Sequence, residues 1–363
     1  MVINTQVLQE KCKKILDAIG SKKGIVADTL ELETANGALY MNVTDKEYYV
    51  SVKIPLDGEG ELHAVVNASL FLGLITKITT DSTELKTNDR FLSIKGNGSY
   101  RLPLIYDGDK LVELPRIELV NITGEFNIKN SVLQSILKYN DKILYTVGCS
   151  FPVFYVDNKG AVTLSHSACI NSFELEQPVS LMLSEKMVKL FRLFRSEDVA
   201  FSMSFDARPD GAMLQKVRFF DGEVMLSAIL LTDSMLMKKF PVDAIRSRAD
   251  NQAPYGVVID KELLIEAIDR LALFKDCLDS SIFMRFSSDG IRLTDSREVS
   301  DEVVPYVNSC DTLPADGYLA KFNVDDVLVI LNNLEDKYIN MSFGDKAMTV
   351  TRDSIKYMLP ECR

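Results

Sequence analysis

Residues 30–43 read LELETANGALYMNV, two alternating segments separated by Asn36-Gly37. Alternation of apolar and polar residues is typical of half-buried β-strands, and Asn-Gly supplies the positive φ angles of a two-residue hairpin turn. Ahead of this hairpin, apolar residues recur at helical spacing from Val7 to Ile19, where Asn4 or Thr5 can cap the start. The stretch therefore predicts a helix followed by a β-hairpin.

The same order of helix and hairpin returns along the chain. A second apolar stripe begins at Val132 and precedes a turn at 158–160, and a third begins at Leu263 and precedes Asp289-Gly290. Between these copies lies another series of helices, each again followed by a hairpin, with predicted caps at Asn67, Ser184 and Asn323. The six segments predicted to be helical are 6–19, 68–80, 129–143, 184–195, 260–278 and 323–337. One motif of a helix and several strands thus occurs six times.

Grouped in pairs, the motifs predict three tandem domains of an α+β fold, at 1–123, 124–250 and 251–363. Irregular connections that contain proline support both boundaries. We expect the hairpins of one domain to merge into antiparallel sheets, with its two helices side by side on one face. Repeats of this kind form either an open array or a closed ring.

The composition excludes several classes of protein. The chain has 363 residues, of which 47% are hydrophobic and 26% charged, so it is globular and too long for one ordinary domain. No apolar run approaches the roughly 20 residues that span a bilayer, and no export signal is recognised, so a cytoplasmic location is expected. Six cysteines without a CxxC pair and two histidines make metal and cofactor sites improbable.

Motifs of catalysis are also absent from the sequence: it contains no P-loop, dinucleotide fingerprint, HExxH or nucleophile elbow. A hydrolase that uses Asp325 and Asp326 is a weak alternative, because both residues fall in the first turn of a predicted helix, where carboxylates oppose the helix dipole. We therefore predict a protein that is not an enzyme and has no catalytic residues, no metal and no cofactor.

Basic residues are concentrated in the predicted helices. The chain carries 41 basic and 52 acidic residues, a net charge of −11, yet the helices of the first two domains are much less negative than the rest. A surface of helix-borne lysines without interleaved aromatics suits sequence-independent contact with phosphates. An ordinary solvated helix face explains the charges too, and charge alone favours it. The candidate DNA-facing residues are Lys11, Lys14, Lys22, Lys23, Lys77, Lys138, Lys142, Lys186, Lys189, Arg192 and Arg195.

The whole chain resembles the bacterial replicative sliding clamp, the beta subunit of DNA polymerase III, in a divergent form such as a phage could encode. The resemblance rests on the triplicated two-helix domain, on the helix that begins at Phe322-Asn323-Val324, on the ending Tyr357-Met358-Leu359-Pro360, and on Phe240-Pro241. It implies a DNA polymerase processivity factor. Two chains would pair head to tail into a ring that encircles duplex DNA without sequence specificity, loaded by an ATP-dependent clamp loader.

The resemblance also implies two protein-binding surfaces. A pocket for short peptides of the replicative polymerase and other replication proteins would be lined by Ser167, Cys169, Ile170, Ser172, Pro241, Ile245, Tyr357, Leu359 and Pro360. The homodimer interface would use Leu102, Leu104, Leu273 and Phe274. The 167–172 segment and the Glu361-Cys362-Arg363 ending depart from the usual clamp pattern. The alternative hypothesis is an acidic repeat scaffold that binds other proteins without encircling DNA.

Overall fold

The structure, a computed structural model, describes residues 1–19, 28–58, 60–140, 153–207, 213–230, 240–251, 253–274, 279–295, 297–309, 313–314 and 316–362. The chain divides into two compact units. Unit 1 consists of Met1–Asn130 and Leu190–Thr232, and unit 2 consists of Ser131–Lys189 and Asp233–Arg363. The boundaries of the three predicted domains are different from these divisions and stay a prediction.

The described residues form seven helices: α1 (Thr5–Leu16), α2 (Ala68–Ile75), α3 (Asn130–Ser135), α4 (Glu185–Leu190), α5 (Val242–Asp250), α6 (Lys261–Ala272) and α7 (Val324–Asn332). The helix α3 continues as a π-helical turn, Ile136–Asn140, and α4 continues as a 3-10 turn, Phe191–Leu193. All six predicted helical segments therefore contain a helix. Helix α7 ends earlier than predicted because the chain turns there to bury Leu334 and to enter a strand at Tyr338.

Unit 1 contains two large antiparallel sheets and a short ribbon. The four-stranded sheet has the order β1 (Val2–Asn4), β6 (Ser82–Thr87), β7 (Phe91–Lys95), β8 (Ser99–Pro103). The eight-stranded sheet has the order β11 (Ile122–Lys129), β16 (Asp198–Ala207), β17 (Met213–Phe220), β18 (Val224–Ile229), β4 (Tyr48–Pro55), β3 (Ala38–Thr44), β2 (Thr29–Ala35), β5 (His63–Asn67). The ribbon pairs β9 (Tyr106–Asp107) with β10 (Lys110–Leu111).

Unit 2 contains a nine-stranded and a four-stranded antiparallel sheet. The larger has the order β15 (Ser180–Leu183), β12 (Val153–Asp157), β13 (Gly160–Leu164), β14 (Ala168–Ser172), β27 (Ile355–Pro360), β26 (Ala347–Arg352), β25 (Tyr338–Gly344), β19 (Tyr255–Asp260), β23 (Tyr306–Ser309). The smaller has the order β22 (Asp301–Val304), β21 (Gly290–Asp295), β20 (Ser281–Ser287), β24 (Tyr318–Asn323).

The predicted caps and the first predicted turn are confirmed. The Oδ1 atoms of Asn4, Asn67 and Asn323 accept hydrogen bonds from backbone N–H groups in the first turns of α1, α2 and α7, and Ser184 Oγ accepts one from Met187. At the first hairpin, Asn36 and Gly37 both have positive φ, 50° and 71°. These local features follow from the sequence because each needs only neighbouring residues.

The prediction that the hairpins of one domain merge into a sheet is wrong. Strand β4, from the first predicted domain, pairs with β18 from the second, and β14, from the second, pairs with β27 from the third. The eight-stranded sheet and the nine-stranded sheet each consist of two half-sheets joined at a seam. The expected side-by-side packing of helices is confirmed for α1 with α2 and for α6 with α7.

Candidate functional site

Eight of the eleven candidate DNA-facing residues lie in the described part of the chain, on or directly after helices. Unit 1 holds Lys11 and Lys14 on α1, Lys77 after α2, Arg192 in the 3-10 turn and Arg195 just beyond it. Unit 2 holds Lys138, Lys186 and Lys189. Lys22, Lys23 and Lys142 lie outside the described residues. Within each unit the structure thus places these residues on helices or in the turns after them; we call the helices α1–α4, α6 and α7, with the turns that follow them, the helical layer.

Lys11 and Lys14 are held by one carboxylate. The carboxylate oxygens of Glu223, in the turn between β17 and β18, lie 2.9 Å from Lys11 Nζ and 2.5 Å from Lys14 Nζ. Only 11% of the Lys11 side chain and 13% of the Lys14 side chain are exposed. Partial burial alone would raise the pKa of Glu223, but the hydrogen bonds from both lysines outweigh it and lower that pKa. These two lysines therefore fasten α1 to a turn, and the structure does not present them as open phosphate contacts.

Further candidate cations have carboxylate partners that are more exposed. Arg192 Nε lies 3.2 Å from Asp17 Oδ2, just after α1. Lys138 Nζ contacts Glu335, after α7, and Lys189 contacts Glu185 one helical turn earlier. The hydrogen bond from Lys138 lowers the pKa of Glu335. Sequence reasoning missed these pairs because most join residues far apart in the chain.

Several cations on the same layer are open to solvent. Lys77 and Arg195 are exposed, and so is Lys13, which lies on α1 beside the candidates. Lys186 is half-buried on α4. A small set of exposed cations on helices is suited to loose contacts with a phosphate backbone.

The residues predicted for a peptide pocket separate onto two faces of the nine-stranded sheet. Ile170 and Ile245 lie together on one face, in an apolar cluster completed by Val162, Ala168, Ala249, Leu164, Phe240, Val242 and Met358. Cys169, Tyr357 and Leu359 belong instead to the buried core under α6 and α7. Successive side chains of a strand point to opposite faces, so the predicted set could not all lie on one surface.

The other predicted pocket residues divide in the same way. Ser167, two residues before Cys169, is buried, whereas Ser172, Pro241 and Pro360 are exposed. Sequence reasoning missed Met358, Ala168 and the helix α5. The spacing of Val242, Ile245 and Ala249 is helical and was the signal available for α5.

An ion pair anchors α5 to the sheet. Arg246 donates from Nη1 to Asp157 Oδ2 at 2.7 Å and from Nη2 to Asp157 Oδ1 at 2.8 Å. The two side chains are 14% and 13% exposed. Partial burial alone would raise the pKa of Asp157, but the hydrogen bonds from Arg246 and the backbone of Lys159 lower it overall. The bidentate geometry fixes the helix over the β12–β13 turn.

We expect Asp157→Asn to destabilise unit 2 by about 2 kcal/mol, because it leaves a mostly buried guanidinium without its countercharge. The folded-state pKa of Asp157 is lowered, so its contribution is present above the ordinary carboxyl pKa and is lost as the pH falls through the folded value. Urea unfolding at neutral and acidic pH measures both effects. Glu176→Gln, on an exposed residue, is the control; an equal loss in both variants would contradict the assignment.

A cavity of about 260 Å³ adjoins this apolar cluster through Met358. Its lining combines small side chains and polar groups: Arg248, Asn251, Ala253, Gly344, Asp345, Ala347, Thr349 and Met358. We name the apolar cluster and this cavity together the outer groove. Only the partly buried members of the cluster, Leu164, Phe240, Val242 and Met358, reach the surface, and such an apolar edge beside a polar cavity suits the binding of a short peptide.

The residues predicted for the dimer interface lie at two free sheet edges or near them. Leu102 is on β8, an edge strand of its sheet, and Leu104 follows it; both are half-buried. Leu273 and Phe274 directly follow α6, and they are 83% and 50% exposed. Large apolar side chains so exposed at the end of a helix are candidates for a protein contact.

Among the described residues, no three potential ligands from His, Cys, Asp and Glu gather as a metal site. In the same part of the chain, no helix has the length and apolar character needed to cross a bilayer. The backbone N–H groups of Asp325 and Asp326 both donate to the cap at Asn323, at the helix start predicted for them.

Comparison with known proteins gives matches of structure only. No family model matches the chain, and no curated protein matches it. The DNA polymerase III subunit beta of Pseudomonas aeruginosa matches with a TM-score of 0.82 and 16% identity, over 100% of this chain and 99% of that one.

Two further solved structures agree with this match. The Bacillus subtilis sliding clamp gives a TM-score of 0.77 at 16% identity, covering 100% of this chain and 98% of that one. The Borrelia burgdorferi beta subunit gives 0.80 at 13% identity, with the same coverage of 100% and 98%. From its first strand to its last, the chain has the fold of the bacterial DNA polymerase III beta sliding clamps.

Proposed function

We propose that the chain is a DNA polymerase processivity factor. Two copies pair head to tail into a ring that encircles duplex DNA without sequence specificity, and the ring tethers the replicative polymerase and other replication proteins. In this proposal the chain has three clamp domains, at 1–123, 124–250 and 251–363, and acts in the cytoplasm. An ATP-dependent loader opens the ring, and the clamp itself catalyses no reaction.

The observation that carries the proposal is the pairing of half-sheets. In unit 1, the half-sheet that ends in β18 is joined to the one that ends in β4, and in unit 2 the half-sheet that ends in β14 is joined to the one that ends in β27. The two four-stranded sheets end in β8 and β22. Strand β8 is the last strand of its hairpin, as β18 and β27 are, and β22 corresponds to β4 and β14. Antiparallel pairing of β8 with β22 of a second copy would repeat the seam twice and close a ring.

The ends of the equivalent helices support this pairing. Counted from the caps Asn4 and Asp260, Leu273 and Phe274 occupy the positions of Asp17 and Ala18. Asp17 pairs with Arg192, and Ala18 is fully buried. Leu273 and Phe274 are exposed in the single chain, so a contact from a second copy would complete the third seam as the first is completed.

Duplex DNA would pass along the helical layer of the ring. The exposed cations of that layer make weak contacts with phosphates, and the net charge of −11 repels a second duplex from the outside. Retention therefore depends on closure of the ring and requires little affinity.

We assign the binding of partner peptides to the outer groove. Its partly buried apolar side chains, among them Val242 and Met358, suit one or two apolar anchors, and Arg248 and Asp345 in the adjoining cavity supply polar contacts. Val242→Asp and Met358→Asp are the variants that would remove these apolar contacts.

The test of the proposed function is retention on DNA of different topology. The protein is equilibrated with a nicked plasmid near the dissociation constant of the dimer, so that rings open and close around the DNA, and is then passed through a gel-filtration column at high salt. We expect it to elute with the circular plasmid and to be lost when a restriction enzyme linearises that plasmid, because a closed ring slides off a free end.

Equal retention on circular and linear plasmid would favour simple binding, and absence from both would favour the acidic repeat scaffold. Either result would contradict the proposed function.

A further inference from the structure

Two carboxylates lie on the helical layer next to cations expected to meet DNA. Asp17, directly after α1, pairs with Arg192, and Glu335, shortly after α7, pairs with Lys138. Arg352 Nη1 also lies 3.6 Å from Glu335 Oε2. We call the pairs Asp17–Arg192 and Glu335–Lys138 the carboxylate latches.

The latches differ from the buried contacts of Glu223. The Arg192 and Asp17 side chains are 46% and 42% exposed, and those of Lys138 and Glu335 are 40% and 64% exposed. Ion pairs at such exposure are weak and are screened by salt. Incoming phosphates can therefore displace the carboxylates without unfolding any element.

Each latch joins residues from two predicted domains that share one of the large sheets. Asp17 and Arg192 belong to unit 1, whose seam is β18–β4, and Lys138 and Glu335 belong to unit 2, whose seam is β14–β27. Each pair thus joins the end of the first helix of one predicted domain to the end of the second helix of the next domain, but the carboxylate and the cation exchange places between the two pairs.

Competition between these carboxylates and the DNA phosphates lowers the affinity of the protein for DNA. A cation that is already paired gains little when a phosphate replaces its carboxylate, and the displaced carboxylate then lies close to the phosphate backbone. The number of counterions released by DNA falls when protein cations are neutralised from within. Both effects weaken the binding of the duplex by the protein.

We propose that Asp17 and Glu335 occupy the phosphate sites of the DNA-facing surface and exchange with DNA phosphates one at a time, which keeps direct affinity low and allows sliding. The inference rests on the proposed clamp function. The groups that exchange are the phosphates of duplex DNA and the carboxylates of Asp17 and Glu335.

The test uses the full-length protein with Asp17→Asn and Glu335→Gln, which keep the side-chain shape and free Arg192 and Lys138. Fluorescence anisotropy with a short linear duplex, over a salt series, measures affinity. We expect about fivefold tighter binding, since each exposed pair contributes weakly, and a plot of log K against log salt that is steeper by about one unit or more.

A matched control separates latch release from total charge. Glu84→Gln with Glu174→Gln removes the same two charges from exposed residues outside the helical layer. If this control tightens binding and steepens the salt dependence as much as the latch variant does, the inference is overturned.

Retention on nicked circular DNA, measured for the same variants, distinguishes the two proposals. If the latch variant binds linear duplex no more tightly, while the unmodified protein is retained on circular DNA alone, the inference about the latches is wrong and the proposed clamp function is still supported. If the unmodified protein is retained equally on circular and linear DNA, the proposed clamp function is wrong.

Discussion

Leu273→Asp together with Phe274→Asp is expected to turn the dimer into monomers. In the proposed ring, each of two identical seams buries both side chains, and burial of one large apolar side chain contributes about 1.5–3 kcal/mol. Aspartates there would in addition bury charge without a partner. Because both seams are affected, we expect the dissociation constant of the dimer to rise by at least about a thousandfold.

Sedimentation measures this effect directly, since the chain has a mass of 40.7 kDa and the dimer about twice that. Val7→Asp with Leu16→Asp is the matched control, because both residues are exposed apolar side chains on α1. An unchanged dimer mass for the Leu273 and Phe274 variant would show that these residues do not form the interface. A control that also dissociates would show a general loss of structure.

Gly160→Ala is expected to destabilise unit 2 by about 3 kcal/mol or more. Gly160 has a φ of +136°, and a Cβ atom there would lie 2.2 Å from the backbone oxygen of Asn171 on β14. Its φ is rare for residues with a side chain, and the backbone oxygen cannot move without disturbing the β13–β14 pairing. At the matching turn, a Cβ atom on Gly290 would likewise lie 2.4 Å from the backbone oxygen of Val304.

Urea unfolding of Gly160→Ala measures the loss, and peptide binding to the outer groove should weaken with it because Ile170 lies on β14. Gly73→Ala is the control: Gly73 lies in α2, no atom of another element lies within 4 Å of the position that a Cβ atom would take, and the change should be neutral or slightly stabilising. Equal stability of the two variants would show that the close approach at Gly160 relaxes at little cost.

The local elements of this protein could be predicted from its sequence. Asn36-Gly37 indicated the first hairpin turn, and the caps Asn67 and Asn323 placed the starts of α2 and α7, because each depends on residues a few positions apart. Helix α5 was missed although Val242, Ile245 and Ala249 carry its spacing, because the proline-containing stretch 246–255 indicated an irregular connection between two domains.

The candidate sites were predicted less well than the elements. The predicted pocket set mixed residues from both faces of β14 and β27, because their strand positions were matched by resemblance without regard to which face each side chain points to. The predicted DNA-facing set included Lys11 and Lys14, whose partner Glu223 is more than half the chain away in sequence and comes near only through the β18–β4 seam.

The sequence by itself determined the six-fold repetition of a helix and a hairpin, the turns and caps, and the concentration of positive charge on the helices, since spacing and neighbouring residues suffice for each. Only the tertiary structure decided which hairpins join, which cations are paired, and which edges remain open. Strand edges all offer the same backbone groups, so their choice of partner depends on the packing of distant segments.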